Sequence, residues 1–222
     1  MDTSAISERL VPLVRQLATE RRAELDRLKE GANGLGRTDF LWHYLLQSFA
    51  TMGGTAGWHG LIGNQENYQR VTFPALAALN PADRDRQVRQ VCRAAGIRYP
   101  NRKADFILGC FERIRELGGL EVAKERLLRE VGREAKIRFL DAFPGIGEKY
   151  ARNIMMDVYH EDFRESIAID SRIKAISEAL GLSFSSYADH EAFYLTVARK
   201  AGLNGWELDR LLYNYRDDFV AS

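Results

Sequence analysis

Apolar residues recur at three- and four-residue intervals along almost the whole chain of 222 residues, as they do on one face of an α-helix. The first segment shows the pattern clearly, with Ile6, Leu10, Leu13, Val14 and Leu17. No alternating run is long enough to require a β-strand. Hydrophobic residues make up 45% of the sequence, which is enough to bury a core. The pattern therefore predicts an all-α fold with about ten helices.

The composition excludes several classes of site. The two cysteines, Cys92 and Cys110, cannot supply a four-thiolate iron–sulfur cluster or a four-cysteine zinc site, and we expect them to be buried apolar residues. The four histidines show no ligand spacing, so we predict no metal site and no organic cofactor. No stretch approaches the roughly 20 apolar residues of a membrane span, and the N-terminus lacks a signal-peptide core. These features predict a cytoplasmic protein with no membrane partner.

The formal net charge of +1 argues neither for nor against a nucleic-acid partner. Basic residues are nevertheless concentrated between Arg84 and Lys103. Such a run is usually a solvated helix face, and it could also face phosphates.

The most informative stretch runs from Phe139 to Ala151. An amphipathic helix leads into Pro144, the residues Gly145-Ile146-Gly147 make a tight turn, and a second helix starts at once. Glycines permit backbone conformations forbidden to other residues and let another backbone approach closely. At the start of a helix, backbone N–H groups and the helix dipole favour an anion, such as a DNA phosphate. The alternative is an ordinary connection between two helices.

Two parts of the sequence resemble one superfamily. Leu140 to Ala151 resembles the hairpin of the helix-hairpin-helix DNA glycosylases, whose pattern is Leu-Pro-Gly-hydrophobic-Gly-x-Lys-x-Ala. Downstream, residues 167–173 resemble the segment that holds the catalytic aspartate of that superfamily. The interval of 21 residues between Lys149 and Asp170 is slightly longer than usual. The segments 95–104, 151–154 and 206–213 are similar to the archaeal and bacterial second-type 8-oxoguanine DNA glycosylase/AP lyases.

The resemblance implies two helical lobes with the substrate cleft between them. One lobe is expected over 38–135, and the other over 1–37 plus 136–222, with the helix-hairpin-helix motif at 133–160. The implied partner is damaged double-stranded DNA, bound by a monomer that is cytoplasmic or nucleoid-associated.

The resemblance also implies which residues act. Lys149 and Asp170 would be catalytic. The turn of Gly145, Ile146 and Gly147 would bind a DNA phosphate, with a monovalent cation bridging its carbonyl groups. Base flipping also needs a pocket and a wedge, for which the candidates are Gln47, Trp58, Asn64, Trp206 and Asp209. Core packing is the alternative for the two tryptophans, and core packing or capping for Asp209.

The chemistry suits lysine and aspartate. Cleaving a base from deoxyribose builds positive charge on the sugar, which a nearby carboxylate stabilises. A lysine amine can attack the anomeric carbon and form a Schiff base that permits β-elimination. The dipole of its helix disfavours an ammonium at Lys149 and is expected to lower its pKa, with a further contribution from burial against Tyr150. The same dipole effect favours a charged carboxylate at Asp170.

Three functions fit parts of this pattern. The first is a bifunctional glycosylase/AP lyase of base excision repair. The second is a monofunctional glycosylase for other lesions, against which Lys149 argues. The third is a non-enzymatic DNA-binding module, against which Asp170 argues. Among substrates 8-oxoguanine is preferred, because the oxidised-pyrimidine branch usually carries four cysteines near its C-terminus and this chain has none after Cys110. The C-terminal residues 219–222, however, match the 8-oxoguanine branch poorly.

Overall fold

The structure is a computed structural model that describes residues 3–220. All regular structure in this range is helical, without a β-strand, which confirms the predicted all-α class. Two 3₁₀ turns lie at Gly34–Gly36 and Glu161–Phe163, and a π-helical turn at Trp58–Ile62. The α-helices are α1 (Thr3–Glu20), α2 (Arg22–Glu30), α3 (Phe40–Thr51), α4 (Gln65–Arg70), α5 (Phe73–Ala77), α6 (Pro81–Ala94), α7 (Pro100–Leu117), α8 (Leu120–Arg129), α9 (Gly132–Asp141), α10 (Glu148–Met156), α11 (Ser171–Ala179), α12 (Tyr187–Ala201), α13 (Gly205–Asn214) and α14 (Arg216–Val220).

Two helix boundaries differ from the sequence prediction, and two short helices are missing from it. The long first helix is broken at Arg21, where φ and ψ are −106° and 13°, so α1 and α2 are separate. Helix α7 begins at Pro100 and not after Asn101, because Tyr99 takes a left-handed conformation (φ 56°) and proline is favourable at the first helical position. Helices α4 and α5 were not predicted, since five or six residues are too few to show a period.

Contacts between helices group the described chain into two compact units. The terminal unit comprises the described parts of residues 1–33 and 155–222. In it α1 packs against α12 and α13, and α11 packs against α13 and α14. Its core includes the buried side chains of Leu10, Tyr194 and Leu211. This packing fixes α11, the helix that begins immediately after Asp170.

The central unit comprises residues 34–154. Helix α3 packs against α7 and α8, and α6 packs along α7. Trp42 lies fully buried in this core, and its indole Nε1 donates to the carbonyl of Val71 at 2.8 Å. The rings of Phe73 and Phe111 meet it edge-on. Cys92 and Cys110 are also buried here, as predicted.

The hairpin helices pack with the central unit. Pro144 lies against Gly109 of α7, and its carbonyl accepts a hydrogen bond from the Cys110 thiol at 3.5 Å. The lobes expected from the sequence, 38–135 and 1–37 plus 136–222, place the hairpin with the terminal segments instead, and that division stays a prediction. Between residues 3 and 220, no helix is both long and apolar enough to cross a membrane.

Candidate active site

The hairpin turn joins α9 to α10. Ile146 is buried, and its backbone N–H donates to the carbonyl of Phe143 at 3.0 Å. Leu140, Phe143 and Ala151 are buried on the same side of the motif. The apolar residues of the hairpin therefore anchor the turn to the core and leave the two glycines exposed.

The two glycines of the turn differ in their surroundings. Gly145 has a φ of +79°, and a Cβ there would overlap the ring of Phe106. Gly147 has no positive φ, and a Cβ there would meet no atom within 4 Å. The protein's own backbone and packing require glycine at 145. At 147 they do not, and the open space lies next to the first turn of α10.

Lys149 lies in that first turn and is half-buried. Its Nζ stands 4.0 Å from the centroid of the Tyr150 ring. An ammonium over the face of a tyrosine is attracted by the ring quadrupole. In this conformation the contact with the ring favours the charged amine, and the expected lowering of the Lys149 pKa by burial against Tyr150 or a docked sugar stays a prediction. The helix dipole acts in the opposite direction.

Asp170 is the N-cap of α11. Its Oδ1 accepts hydrogen bonds from the backbone N–H groups of Arg172 at 2.9 Å and Ile173 at 3.0 Å. These bonds fix the carboxylate in place at a helix N-terminus, where the dipole favours negative charge. Capping and a catalytic role are compatible, because Oδ2 takes no part in the cap bonds.

The segment that leads to Asp170 has no regular secondary structure and is buried. The backbone N–H of Ala168 donates to Oδ1 of Asp209 at 2.8 Å. Asp209 is 4% exposed, and burial raises its pKa to about 6 against the opposing effect of the Arg210 guanidinium. The pocket role suggested for Asp209 does not describe this environment. Its carboxylate is enclosed and accepts a hydrogen bond from the backbone. This environment is nearer to the capping alternative than to a pocket role.

Trp206 is likewise committed to the core. It is 2% exposed, its indole Nε1 donates to the carbonyl of Met156 at 2.7 Å, and its ring meets Tyr159 edge-on. In this structure Trp206 is a core residue, and its ring face is not available to a flipped base.

The other pocket candidates lie in the central unit. Trp58 is 38% exposed on the π-helical turn, so it is not a core residue, and its ring touches His59. Asn64 caps α4 by accepting from the N–H of Asn67 at 3.1 Å. Gln47 is half-buried on α3. Of these three, Trp58 is the one aromatic residue, and it is exposed.

The basic run between Arg84 and Lys103 is largely engaged within the protein. Arg84 is buried, and its guanidinium donates to Glu112 and to two backbone carbonyls. Arg89 donates to Asp85 and Asp105. Lys103 is buried, and burial lowers its pKa to about 8. Arg86, Arg93, Arg98 and Arg102 of the same run are exposed. The run is therefore partly internal and partly a solvated face, and its use as a phosphate-facing surface stays a prediction.

Some residues around the site were missed by sequence reasoning. Phe106 is partly exposed and covers Gly145. Glu191 is 3% exposed and accepts from the N–H of Ile167 at 3.0 Å. An acidic residue at an otherwise apolar helical spacing was the available signal, because Glu191 lies three residues before the buried Tyr194. Among residues 3–220, no group of three or more His, Cys, Asp or Glu side chains is arranged to hold a metal ion.

The C-terminal segment is described only in part. Phe219 is buried in α14. Ala221 and Ser222 lie outside the described residues, so their predicted mismatch with the 8-oxoguanine branch stays a prediction.

Proteins similar to this chain are found among solved structures. No known protein-family profile matches the chain, and no curated protein matches its sequence. The 8-oxoguanine DNA glycosylase of Thermotoga maritima superposes with a TM-score of 0.69 at 18% identity, over 94% of this chain and 96% of that one. The 8-oxoguanine DNA glycosylase of Methanocaldococcus jannaschii gives 0.71 at 16% identity, over 97% of each chain.

A second Methanocaldococcus jannaschii structure is an 8-oxoguanine glycosylase/lyase in complex with a 15-mer DNA that contains 8-oxoguanine. It gives a TM-score of 0.68 at 16% identity, over 94% of this chain and 97% of that one. The resemblance inferred from the hairpin and the Asp170 segment is confirmed at the level of the fold. This chain has the all-α fold of these 8-oxoguanine DNA glycosylases.

Proposed function

We propose that this chain is a bifunctional DNA glycosylase and AP lyase of base excision repair that removes 8-oxoguanine from double-stranded DNA. The proposal rests on two residues and the fold in which they occur. Lys149 follows a Gly-Ile-Gly turn in the first turn of α10, and Asp170 caps α11, in a fold like that of 8-oxoguanine DNA glycosylases. The neighbour described as a glycosylase/lyase bound to 8-oxoguanine DNA supports the substrate and the lyase step. Such an enzyme would work in the cytoplasm or on the nucleoid.

The reaction begins with the lesion nucleotide out of the base stack. The neutral amine of Lys149 attacks C1′, the bond from C1′ to N9 breaks, and its electron pair leaves with the base. The carboxylate of Asp170 stabilises the positive charge that develops on the sugar. Opening of the sugar ring gives a Schiff base between Lys149 and C1′. Loss of a C2′ proton then expels the 3′ phosphate, and water releases the lysine.

The contact between Lys149 and Tyr150 sets a condition on this mechanism. The ring face favours an ammonium, and the amine must lose its proton before it attacks. Movement of the sugar into place beside Lys149 would also exclude water, which disfavours the charged form.

The hairpin turn would hold a DNA phosphate. The exposed backbone at Gly147, with no atom of the protein within 4 Å of a Cβ position, leaves room for a close approach. The resemblance also implies a monovalent cation, which the backbone carbonyls of the Gly145 to Gly147 turn would hold and which would offset the negative charge of the phosphate.

One experiment tests the reaction. The protein is incubated with a duplex carrying 8-oxoguanine in the presence of borohydride, and the covalent protein–DNA adduct is measured alongside strand scission. The lesion panel also includes thymine glycol, dihydrouracil, uracil and hypoxanthine, and an undamaged duplex is the control. We expect an adduct that forms fastest with 8-oxoguanine.

The other outcomes separate the alternatives. Faster cutting of a pyrimidine lesion would overturn the substrate and leave the lysine mechanism. Base release without an adduct would indicate a monofunctional glycosylase. Binding without base release from any lesion would indicate a DNA-binding module.

A further inference from the structure

The segment from Ile167 to Ile169 directly precedes Asp170 and is buried along its whole length. A buried backbone N–H must find a hydrogen-bond partner, because leaving it unpaired is costly. A neighbouring strand usually supplies these partners, but residues 3–220 contain no strand. The N–H of Ile169 has one backbone partner within the segment, the carbonyl of Ile167 at 3.2 Å. The segment's other hydrogen bonds come from side chains.

Three side chains from α12 and α13 each accept a hydrogen bond from one of the three N–H groups, at N···O distances of 2.8–3.0 Å. Glu191 accepts from Ile167, Asp209 from Ala168, and the Tyr187 hydroxyl from Ile169. The Tyr187 hydroxyl also donates to the carbonyl of Ile167 at 2.9 Å. The backbone leading to Asp170 is thus fixed residue by residue.

Asp209 is the most costly of the three acceptors. It is enclosed at 4% exposure, and Oδ2 lies 4.0 Å from the nearest guanidinium nitrogen, Nε of Arg210. Burying a carboxylate with only distant charge compensation is unfavourable. If the side chain at position 209 only had to fill the core, an apolar residue would be more favourable there. The bond to Ala168, two residues before Asp170, is the direct bond that offsets this cost.

We propose that Asp209 is a positioning residue for Asp170, and that Glu191 and Tyr187 share this task. Through the Ala168 amide, Asp209 fixes where the carboxylate of Asp170 stands relative to the sugar that it stabilises. The inference rests on the proposed glycosylase function and names residues that do not touch the substrate. A displacement of about 1 Å at a reacting group can cost a hundredfold in rate, so a fixed backbone here has a catalytic effect.

The test compares variants at position 209 under single-turnover conditions with saturating enzyme and an 8-oxoguanine duplex. Asp209→Ala removes the acceptor and should lower the rate of base release by about tenfold to a hundredfold, with an unchanged Kd for the duplex. Asp209→Asn keeps an acceptor oxygen for Ala168 and should stay within about threefold of the wild type. Tyr187→Phe, at a half-buried position, should lower the rate severalfold and covers the case in which Asp209→Ala does not fold.

Glu207→Gln is the matched control. Glu207 is another buried carboxylate on α13, but it bonds Lys29 and the α13 cap and makes no bond to residues 167–169. Its loss should lower the melting temperature without changing the rate of base release. The proposal is overturned if Asp209→Ala and Tyr187→Phe both release base at the wild-type rate. It is also overturned if Asp209→Asn is as slow as Asp209→Ala. If the wild-type protein releases no base from any lesion, the proposed function has failed instead.

Discussion

Replacing each glycine of the hairpin turn by alanine separates what the fold needs from what DNA binding needs. At Gly145 a side chain must take up a φ of +79° and displace the ring of Phe106. The left-handed conformation costs about 1–2 kcal/mol for a residue other than glycine. Forcing extra volume into a packed contact costs about 1–3 kcal/mol more. Gly145→Ala should therefore lower the free energy of unfolding by about 2–5 kcal/mol.

At Gly147 the same change should be nearly neutral for folding. The position has no positive φ and no neighbour within 4 Å. Alanine is a slightly poorer helix cap than glycine, but it also restricts the unfolded chain, and the two effects are each below about 1 kcal/mol. If a phosphate approaches this backbone, the added methyl group will block a charge-assisted hydrogen bond. Affinity for any duplex, damaged or not, should then fall about tenfold or more.

Urea unfolding and duplex binding at fixed ionic strength measure the two effects. Gly36→Ala is the control, since Gly36 is also exposed, has no positive φ and has no neighbour within 4 Å. Unchanged stability in Gly145→Ala would show that Phe106 moves aside freely and that the steric argument is wrong. Wild-type affinity in Gly147→Ala would remove the phosphate from this turn. A loss of binding confined to one lesion would mean that the turn reads the base.

Three further predictions concern single side chains. Lys149→Gln should abolish borohydride trapping and strand scission while duplex binding persists; trapping by this variant would assign the chemistry to another amine. Asp170→Asn keeps an acceptor for the α11 cap and removes the charge, so turnover should fall about a hundredfold or more with a stability change below about 1 kcal/mol; near-normal turnover would reduce Asp170 to a cap. Asp209 has a raised pKa of about 6, so its contribution to stability is lost as pH rises through that value. Urea unfolding should therefore show Asp209→Asn gaining up to about 3 kcal/mol on the wild type between pH 4 and pH 7; a pH-independent difference would contradict the raised pKa.

The helices that could be predicted from sequence are those with strong local signals. The apolar period over 187–201 predicts helix α12, which is observed at Tyr187–Ala201. The capping-box spacing of Asn204 and Glu207 predicts the start of α13, where both reciprocal bonds are observed. The break at Arg21 could not be predicted, because no glycine or proline marks it.

The two proposed catalytic residues were found for the same local reason. A turn and a cap are built from adjacent residues, and Asp170 indeed caps α11. The pocket candidates could not be judged in this way, because exposure depends on packing between distant segments. The sequence allows a pocket role or core packing for both Trp58 and Trp206, yet Trp58 is 38% exposed and Trp206 is 2% exposed.

The segment before Asp170 shows most clearly where local reasoning ends. Its sequence, Ile167-Ala168-Ile169, contains no sign of how its N–H groups are satisfied, because the acceptors lie 18 to 41 residues further along the chain. The acceptor residues themselves, however, can be recognised in the sequence. Glu191 and Asp209 occupy helix positions spaced for the core, where charged residues break the apolar pattern at a cost. Such breaks in the apolar pattern are concentrated at functional or strained sites. Here both carboxylates bond the few residues of backbone that place Asp170.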